Sequence, residues 1–268
     1  MTASATTAAV FAALSMTAAP LFAADGILIV QQRTSGGATQ TSQIQIEKTR
    51  MRAEVPGPAG ISQIVIFDNT AQVMRMIDAP NKSYTELTKS EVDRAAEQMS
   101  GAMATMQERM KSMPPEQRAQ LEAVMRGRGA AGAAAAPKTA YRKGGTDRVG
   151  KWTCQKYDGY EGEKKVSEIC TVEPGVLGVT PADFEITKQL ASFFQRLSPA
   201  ASSQVLTIGS PELGFSGIPV RSHLSIGARE TTIEITEVTR KAFADDSYAV
   251  PAGFQKRPSP FAGRGRQQ

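Results

Sequence analysis

The segment IVIFDNTAQVMRMID, residues 64–78, decides the fold class of this chain. Its runs Ile64–Phe67 and Val73–Ile77 follow the period of two that is typical of strands, and the turn-forming pair Asp68-Asn69 stands between them. A connection this short joins antiparallel neighbours, since a parallel pair needs a long crossover. The segment therefore predicts a β-hairpin.

The same period extends on both sides of this hairpin, over residues 26–87. Further strand-like runs occur at Ile27–Val30 and Gln43–Ile46. Residues that favour tight turns separate the runs, because glycine, proline and asparagine suit the backbone angles of such turns. The turns are predicted at 35–37, 56–58, 68–69 and 80–82. We expect the N-terminal third of the chain to be an antiparallel meander.

The period changes at residues 88–91, where helical signals begin. The sequence TKSE at these positions matches a capping box, in which a hydroxyl and a carboxylate satisfy free amides at a helix start. We expect one helix to about Lys111 and a second one after Pro114-Pro115, which together form a helical insertion at about 88–127. Residues 128–137, RGAAGAAAAP, have too little bulk to pack tightly and predict a flexible loop.

The β pattern returns in the second half of the chain, interrupted by one helix. Residues 151–172 predict a hairpin, and Thr180 followed by Pro181 predicts a helix start. The chain beyond Phe254 is rich in proline, glycine and arginine, and we expect residues 257–268 to form a disordered basic tail. Further strands are predicted at Gln204–Ile208, Ile218–Ile226 and Glu230–Ala242.

Composition limits the functions that this chain can perform. Its 268 residues include 31 basic and 26 acidic side chains, a formal charge of +5, so nucleic-acid binding has little support. Two cysteines and one histidine, His223, provide too few ligands for zinc, haem or iron–sulfur sites. The sequence contains neither a phosphate-binding glycine loop nor a serine-nucleophile motif. We expect a protein without enzymatic activity, cofactor or metal, in which His223 is a surface or hydrogen-bonded residue.

Residues 1–24 carry no charged side chain and predict a signal peptide. An apolar core from Ala8 to Leu14 precedes small residues at Ala23 and Ala24, as expected before a cleavage site. A buried alanine-rich helix is the alternative interpretation. A membrane span is disfavoured because the apolar run is short and interrupted by Pro20. We expect cleavage near Ala23/Ala24, a periplasmic location and no transmembrane segment in the mature chain.

The two cysteines are placed for a cross-strand disulfide. Cys154 and Cys170 lie at equal distances from Gly162, so a hairpin that turns around Gly162 brings them opposite each other. The same register pairs Lys156 with Glu168, and opposite charges across strands are favourable. A structural disulfide fits an oxidising compartment. Free or catalytic thiols are the alternative, although a redox pair is usually more closely spaced.

Methionines follow one face of the first predicted helix, at alternating spacings of three and four. Three interpretations fit this stripe. The stripe could be a helix face that packs on the sheet, or a copper(I) site built from thioethers. It could also be the adjustable wall of a site for an apolar ligand, because methionine is flexible. We adopt the ligand-facing hypothesis, in which the later helix backs the stripe. The hydrophobic site then comprises Met99, Met103, Met106, Met110, Met113, Phe193, Phe194 and Leu197.

In their order along the chain, five motifs resemble a family of uncharacterised bacterial envelope proteins that is related to the LolA/LolB lipoprotein-carrier superfamily. The resemblance covers most of the mature chain. The motifs are IVIFD at 64–68, VMRMID at 73–78, KSYTEL at 82–87, VGKWTC at 149–154 with Tyr157, and YAVPAGF at 248–254.

This resemblance implies a mainly β (α+β) protein. Its expected architecture is LolA-like, a curved antiparallel sheet or incomplete β-barrel with helices over the concave face and a hydrophobic cavity between them. We expect one such domain at residues 25–256. The function implied is binding of a hydrophobic ligand, lipid-like or a lipoprotein acyl chain, in that cavity. The alternative is a structural or protein-interaction module of the cell envelope that has a protein partner and no small ligand.

Overall fold

The computed structural model describes residues 26–56, 62–114, 116–117, 139–195, 214–226, 229–259 and 261. The predicted signal peptide, most of the second helix, the loop at 128–137, the strand at 204–208 and Leu197 lie outside these residues. In chain order the strands are β1 (Ile27–Ser35), β2 (Ala38–Ile46), β3 (Arg50–Pro56), β4 (Ser62–Asp68), β5 (Val73–Asp78), β6 (Ser83–Thr88), β7 (Ala140–Val149), β8 (Trp152–Glu161), β9 (Lys164–Val172), β10 (Ile218–Ile226), β11 (Arg229–Arg240) and β12 (Gln255–Arg257). The helices are α1 (Lys89–Ser112) and α2 (Glu185–Phe194).

All twelve strands of the described residues belong to one curved, open sheet. Its strand order is β12-β6-β5-β4-β3-β2-β1-β11-β10-β9-β8-β7, so β12 and β7 form the two edges. Every neighbouring pair is antiparallel except β12 with β6, which is parallel. The prediction of a mainly β, antiparallel fold is confirmed.

The N-terminal meander is confirmed as β1 to β6, each strand paired with the next. In the hairpin of residues 64–78, Ile64 lies opposite Ile77 and Phe67 opposite Met74. The Asp68 carboxylate accepts a hydrogen bond from the Ala71 amide at 2.9 Å and stabilises the turn.

One face of the sheet bears α2 and the main hydrophobic core, and we call it the helix face. The α2 side chains Ile186, Leu190 and Phe193 are buried because they recur at helical spacing. The Phe193 ring meets Phe67 of β4 edge-on, with ring centroids 5.5 Å apart. Thr180 begins a helix as predicted and forms a capping box with Asp183. This box opens a 3-10 helix, Pro181–Phe184, and α2 begins only at Glu185.

The other face, which we call the outer face, is covered in part by the C-terminal segment. Tyr248 is buried there against Ile66 and Ile77. The segment then ends as β12, residues 255–257, of which only residue 257 belongs to the predicted tail at 257–268. Lys256 of β12 forms an ion pair with Glu86 of β6 at 2.7 Å, and the Gln255 amide donates a hydrogen bond to the Lys82 carbonyl at 2.9 Å.

Helix α1 begins with the predicted capping box. The Thr88 hydroxyl accepts a hydrogen bond from the Glu91 amide, and the Glu91 carboxylate accepts one from the Thr88 amide at 2.9 Å. Buried side chains occur only near the start of α1, at Val92 and Ala96. The rest of the helix therefore gains little from the core. Among the described residues, neither helix has the length and hydrophobicity needed to cross a membrane.

Candidate functional site

The methionine stripe lies on the part of α1 that extends beyond the core. Met99 and Met103 are 45% and 47% exposed. Met106, Met110 and Met113, farther along, are half-buried. The structure thus places the first two methionines at the surface, and the helical spacing that suggested the stripe is correct for α1.

The α2 residues of the predicted site have a different environment. Phe193 is buried in the main core, and Phe194 is half-buried beside it, with ring centroids 5.2 Å apart. Leu197 lies outside the described residues. Helices α1 and α2 contact each other, and Phe194 packs against the main core. Phe193 belongs to the hydrophobic core, since its ring contacts Phe67 of β4.

The Cys154–Cys170 disulfide is present and joins β8 to β9, with Cα atoms 5.4 Å apart. Both cysteines are almost fully buried in the core of the helix face. The predicted register was wrong, because Cys170 lies opposite Lys156 rather than Cys154. The turn is centred between Gly162 and the next residue, with Gly162 at a φ of 64° that favours glycine. A shift of two residues keeps side chains on their original face, so the cysteines still meet diagonally.

An irregularity in β10 places Arg221 beside this disulfide. Pro219 has no amide to donate, and the pairing of β10 with β9 shifts between Pro219 and Arg221. Val220 is the extra residue and is fully buried in the core. Such bulges redirect side chains, and Arg221 consequently lies opposite Cys170.

Arg221 belongs to a network of ion pairs on the disulfide side of the sheet. Its guanidinium contacts the Asp147 carboxylate and lies 3.8 Å from Glu168. The Glu168 carboxylate is 2.9 Å from the Lys165 ammonium and 3.3 Å from the Lys156 ammonium. The Lys156–Glu168 contact predicted from the hairpin therefore exists, as a diagonal contact.

The network shifts the pKa values of three of its members. The hydrogen bond from Lys165, supported by Lys156, holds the pKa of Glu168 below its usual value. The hydrogen bond from Arg221 does the same for the pKa of Asp147. The carboxylates of Asp158 and Glu168 raise the pKa of Lys165. Glu168, Asp147 and Lys165 are therefore charged at neutral pH.

His223 and several hydroxyl groups complete a cleft next to this network. His223 lies opposite Glu168 in β9 and Thr232 in β11, and its Nδ1 is 3.0 Å from the Thr232 hydroxyl. The cleft has a volume of about 500 Å³. It is lined by Lys165, Ser167, Glu168, Arg221, His223, Ser225 and Thr232.

Sequence reasoning missed most of this cleft. Lys165, Arg221 and Ser225 belong to no motif, and only the three-dimensional sheet brings β9, β10 and β11 together. Pro219 within a strand-like run was the available signal, because proline inside a sheet marks a bulge or an edge. Within the described part of the chain, no group of three or more His, Cys, Asp or Glu residues is arranged to hold a metal ion.

Comparison with known proteins identifies no family, since no family model and no curated protein matches the chain. Among solved structures, the chain is similar to an uncharacterised conserved protein from Thermus thermophilus, with 8% identity, a TM-score of 0.43, and 88% of this chain and 91% of that chain covered. PNGF-II has 9% identity and a TM-score of 0.33, with 87% of this chain and 31% of that chain covered. A DUF1329 family protein from Desulfovibrio piger has 8% identity and a TM-score of 0.18, with 84% of this chain and 89% of that chain covered. All three TM-scores lie below 0.5.

Proposed function

We propose that this chain is an exported, periplasmic protein that binds a hydrophobic, lipid-like ligand at the methionine face of α1. The exposure of Met99 and Met103 supports this proposal. They are two of the large apolar side chains that lie exposed among the described residues, and they share one helix face. Core packing does not account for them, because the buried part of α1 ends at Ala96.

Methionine chemistry favours a ligand of variable shape. An unbranched thioether side chain adapts to different apolar surfaces, whereas leucine and isoleucine define one shape better. Helix α2 contacts α1, and its Phe194 is half-buried. A lipid-like chain bound along α1 would cover the exposed methionines.

Export is supported by two features that are far apart in the chain. Residues 1–24 have the composition of a signal peptide. The Cys154–Cys170 bridge is the kind of bond that forms and persists in oxidising compartments such as the periplasm. The order of the envelope-family motifs supports a LolA-like incomplete barrel as the more detailed description of the fold.

A protein-interaction module is the second candidate, and the same exposure favours it. A helix that presents an apolar stripe at its surface is also a common way to recognise a partner protein. The two candidates differ in their ligand. A lipid carrier binds small apolar molecules as a monomer, whereas an interaction module needs a second protein to bury the stripe.

The test uses the mature chain with Met99→Lys/Met103→Lys, and N-phenyl-1-naphthylamine as a fluorescent apolar probe. We expect probe affinity to fall about tenfold or more, because two charges replace apolar contacts. Stability should change by only about 0.5 kcal/mol, since both positions are exposed. Met99→Leu/Met103→Leu should fold and still bind, but with a narrower range of probes.

The matched control is Val176→Lys, which charges another exposed apolar residue, 56% exposed and remote from α1 in sequence. It should leave probe binding unchanged. If the lysine pair binds the probe as well as the wild type, the carrier proposal is wrong. Native mass spectrometry of protein from its own periplasm then shows whether a co-purifying partner protein, rather than a lipid, accompanies the chain.

A further inference from the structure

We propose that the cleft beside the disulfide binds a phosphate-type oxyanion, either free or as a phosphate ester. The cleft lies between β9, β10 and β11, and its members come from all three strands. This inference is independent of the methionine stripe, because no residue of α1 lines the cleft.

The carboxylates around the cleft are already used. Glu168 accepts a hydrogen bond from Lys165 and lies within 4 Å of two further cations, at 3.3 and 3.8 Å. Asp147 accepts from Arg221 and from the Arg148 amide. A cation would have to displace these partners, so the cleft is poorly suited to metal ions or amines.

Hydrogen-bond donors, by contrast, remain available. Both contacts of Arg221 use one terminal nitrogen, Nη2, which leaves Nε and Nη1 without a partner among the described residues. His223 uses only Nδ1. Ser225 has no side-chain hydrogen bond within the same part of the chain, although it lines the cleft. The three cations of the network, Lys156, Lys165 and Arg221, are balanced by the carboxylates of Glu168, Asp158 and Asp147. The unused donors of the cleft, rather than a net positive charge, therefore favour an oxyanion.

The geometry fits a small ligand with several oxygen atoms. The cleft is open to solvent and its volume of about 500 Å³ is within the range of small-molecule sites. The free Nη1 of Arg221 can donate to a phosphate oxygen, and the hydroxyls of Ser225 and Thr232 lie on neighbouring strands. A phosphate group in this position would bridge β10 and β11.

His223 is the only histidine of the chain, so its ring signals report on the cleft directly by NMR. Inorganic phosphate is titrated at constant ionic strength, with sodium chloride as the control salt. A second titration uses glycerol 3-phosphate as the phosphate ester. We expect a saturable shift of the His223 ring signals with at least one phosphate compound and none with chloride.

Two variants locate the site. Arg221→Gln should weaken binding about tenfold, and Ser225→Ala, which breaks no ion pair, should weaken it roughly fivefold. Lys188→Gln removes an exposed charge on α2 and should leave binding unchanged. Binding of the ester alone would assign the source as a headgroup, and binding of both would show that free phosphate suffices.

The proposal is overturned if neither phosphate compound shifts the His223 signals beyond the effect of chloride. It is equally overturned if Ser225→Ala and Lys188→Gln bind phosphate with the same affinity as the wild type. Wild-type chemical shifts elsewhere in the spectra of both variants confirm that they are folded.

Discussion

Removing the Cys154–Cys170 disulfide should destabilise the protein by about 3 kcal/mol. The bridge closes a loop with a sequence separation of 16, and the chain-entropy relation gives about this value for such a loop. Both cysteines are almost fully buried, so alanine is the substitution that leaves no unpaired thiol in the core. The loss corresponds to a fall in Tm of about 6–12 °C for a domain of this size.

Urea unfolding of Cys154→Ala/Cys170→Ala and of the wild type provides the measurement. We expect a lower midpoint and a larger m-value for the variant, because an unfolded chain without the cross-link exposes more surface. Adding reductant should lower the urea midpoint of the wild type by a similar amount and leave the midpoint of the variant unchanged. The binding of N-phenyl-1-naphthylamine should remain largely intact in the variant.

Two results would refute this reasoning. Alkylation of two thiols in the oxidised, unfolded wild type would show that the bridge is absent in solution. An unchanged midpoint in the variant, with the bridge demonstrated in the wild type, would show that the cross-link does not restrict the unfolded chain as the entropy relation requires.

Two further predictions concern single side chains. Glu168→Gln should destabilise the protein by roughly 0.5–1 kcal/mol near neutral pH. Lys165 lowers the pKa of Glu168 in the folded state, so this stabilisation is complete above the ordinary pKa of 4.5 and is lost as pH falls through the folded value. Urea midpoints of Glu168→Gln and wild type should thus converge in acid, while the exposed control Glu163→Gln should match wild type at every pH. Thr88→Ala should lower the free energy of unfolding by about 1 kcal/mol, because it removes the cap of α1. Thr105→Ala within the same helix should be neutral or stabilising, and thermal unfolding measures both variants. Equal effects at both positions would contradict the capping role.

Local signals predicted the parts of the fold that depend on neighbours in sequence. Residues 64–78 form the expected hairpin because side-chain alternation and a turn pair act over a few residues. The capping box at Thr88 formed for the same reason. Cys154 and Cys170 form the disulfide although the strand pairing differs from the predicted register by two residues. Such a shift leaves both side chains on the same face of the sheet.

Features that depend on distant segments were not predictable. Arg221 reaches its ion pairs through a bulge whose partner strand, β9, is far away in sequence. β12 pairs with β6, where Lys256 meets Glu86, and nothing near residue 256 indicates that partner. Helical spacing showed that Met99 and Met103 share a face, but periodicity contains no information on what packs against that face.

The position of β1 has a consequence for the order of folding. Ile29 of β1 lies between Ile44 of β2 and Val238 of β11, so the first strand of the chain needs one of the last to complete its pairing. Contacts between segments so distant in sequence slow folding, because a long loop must close before they form. Until residues 229–240 leave the ribosome, the meander β1–β6 retains an unpaired edge at β1. The finished sheet is thus a late event in synthesis, and a chain truncated before β11 exposes the Ile27–Val30 edge to aggregation.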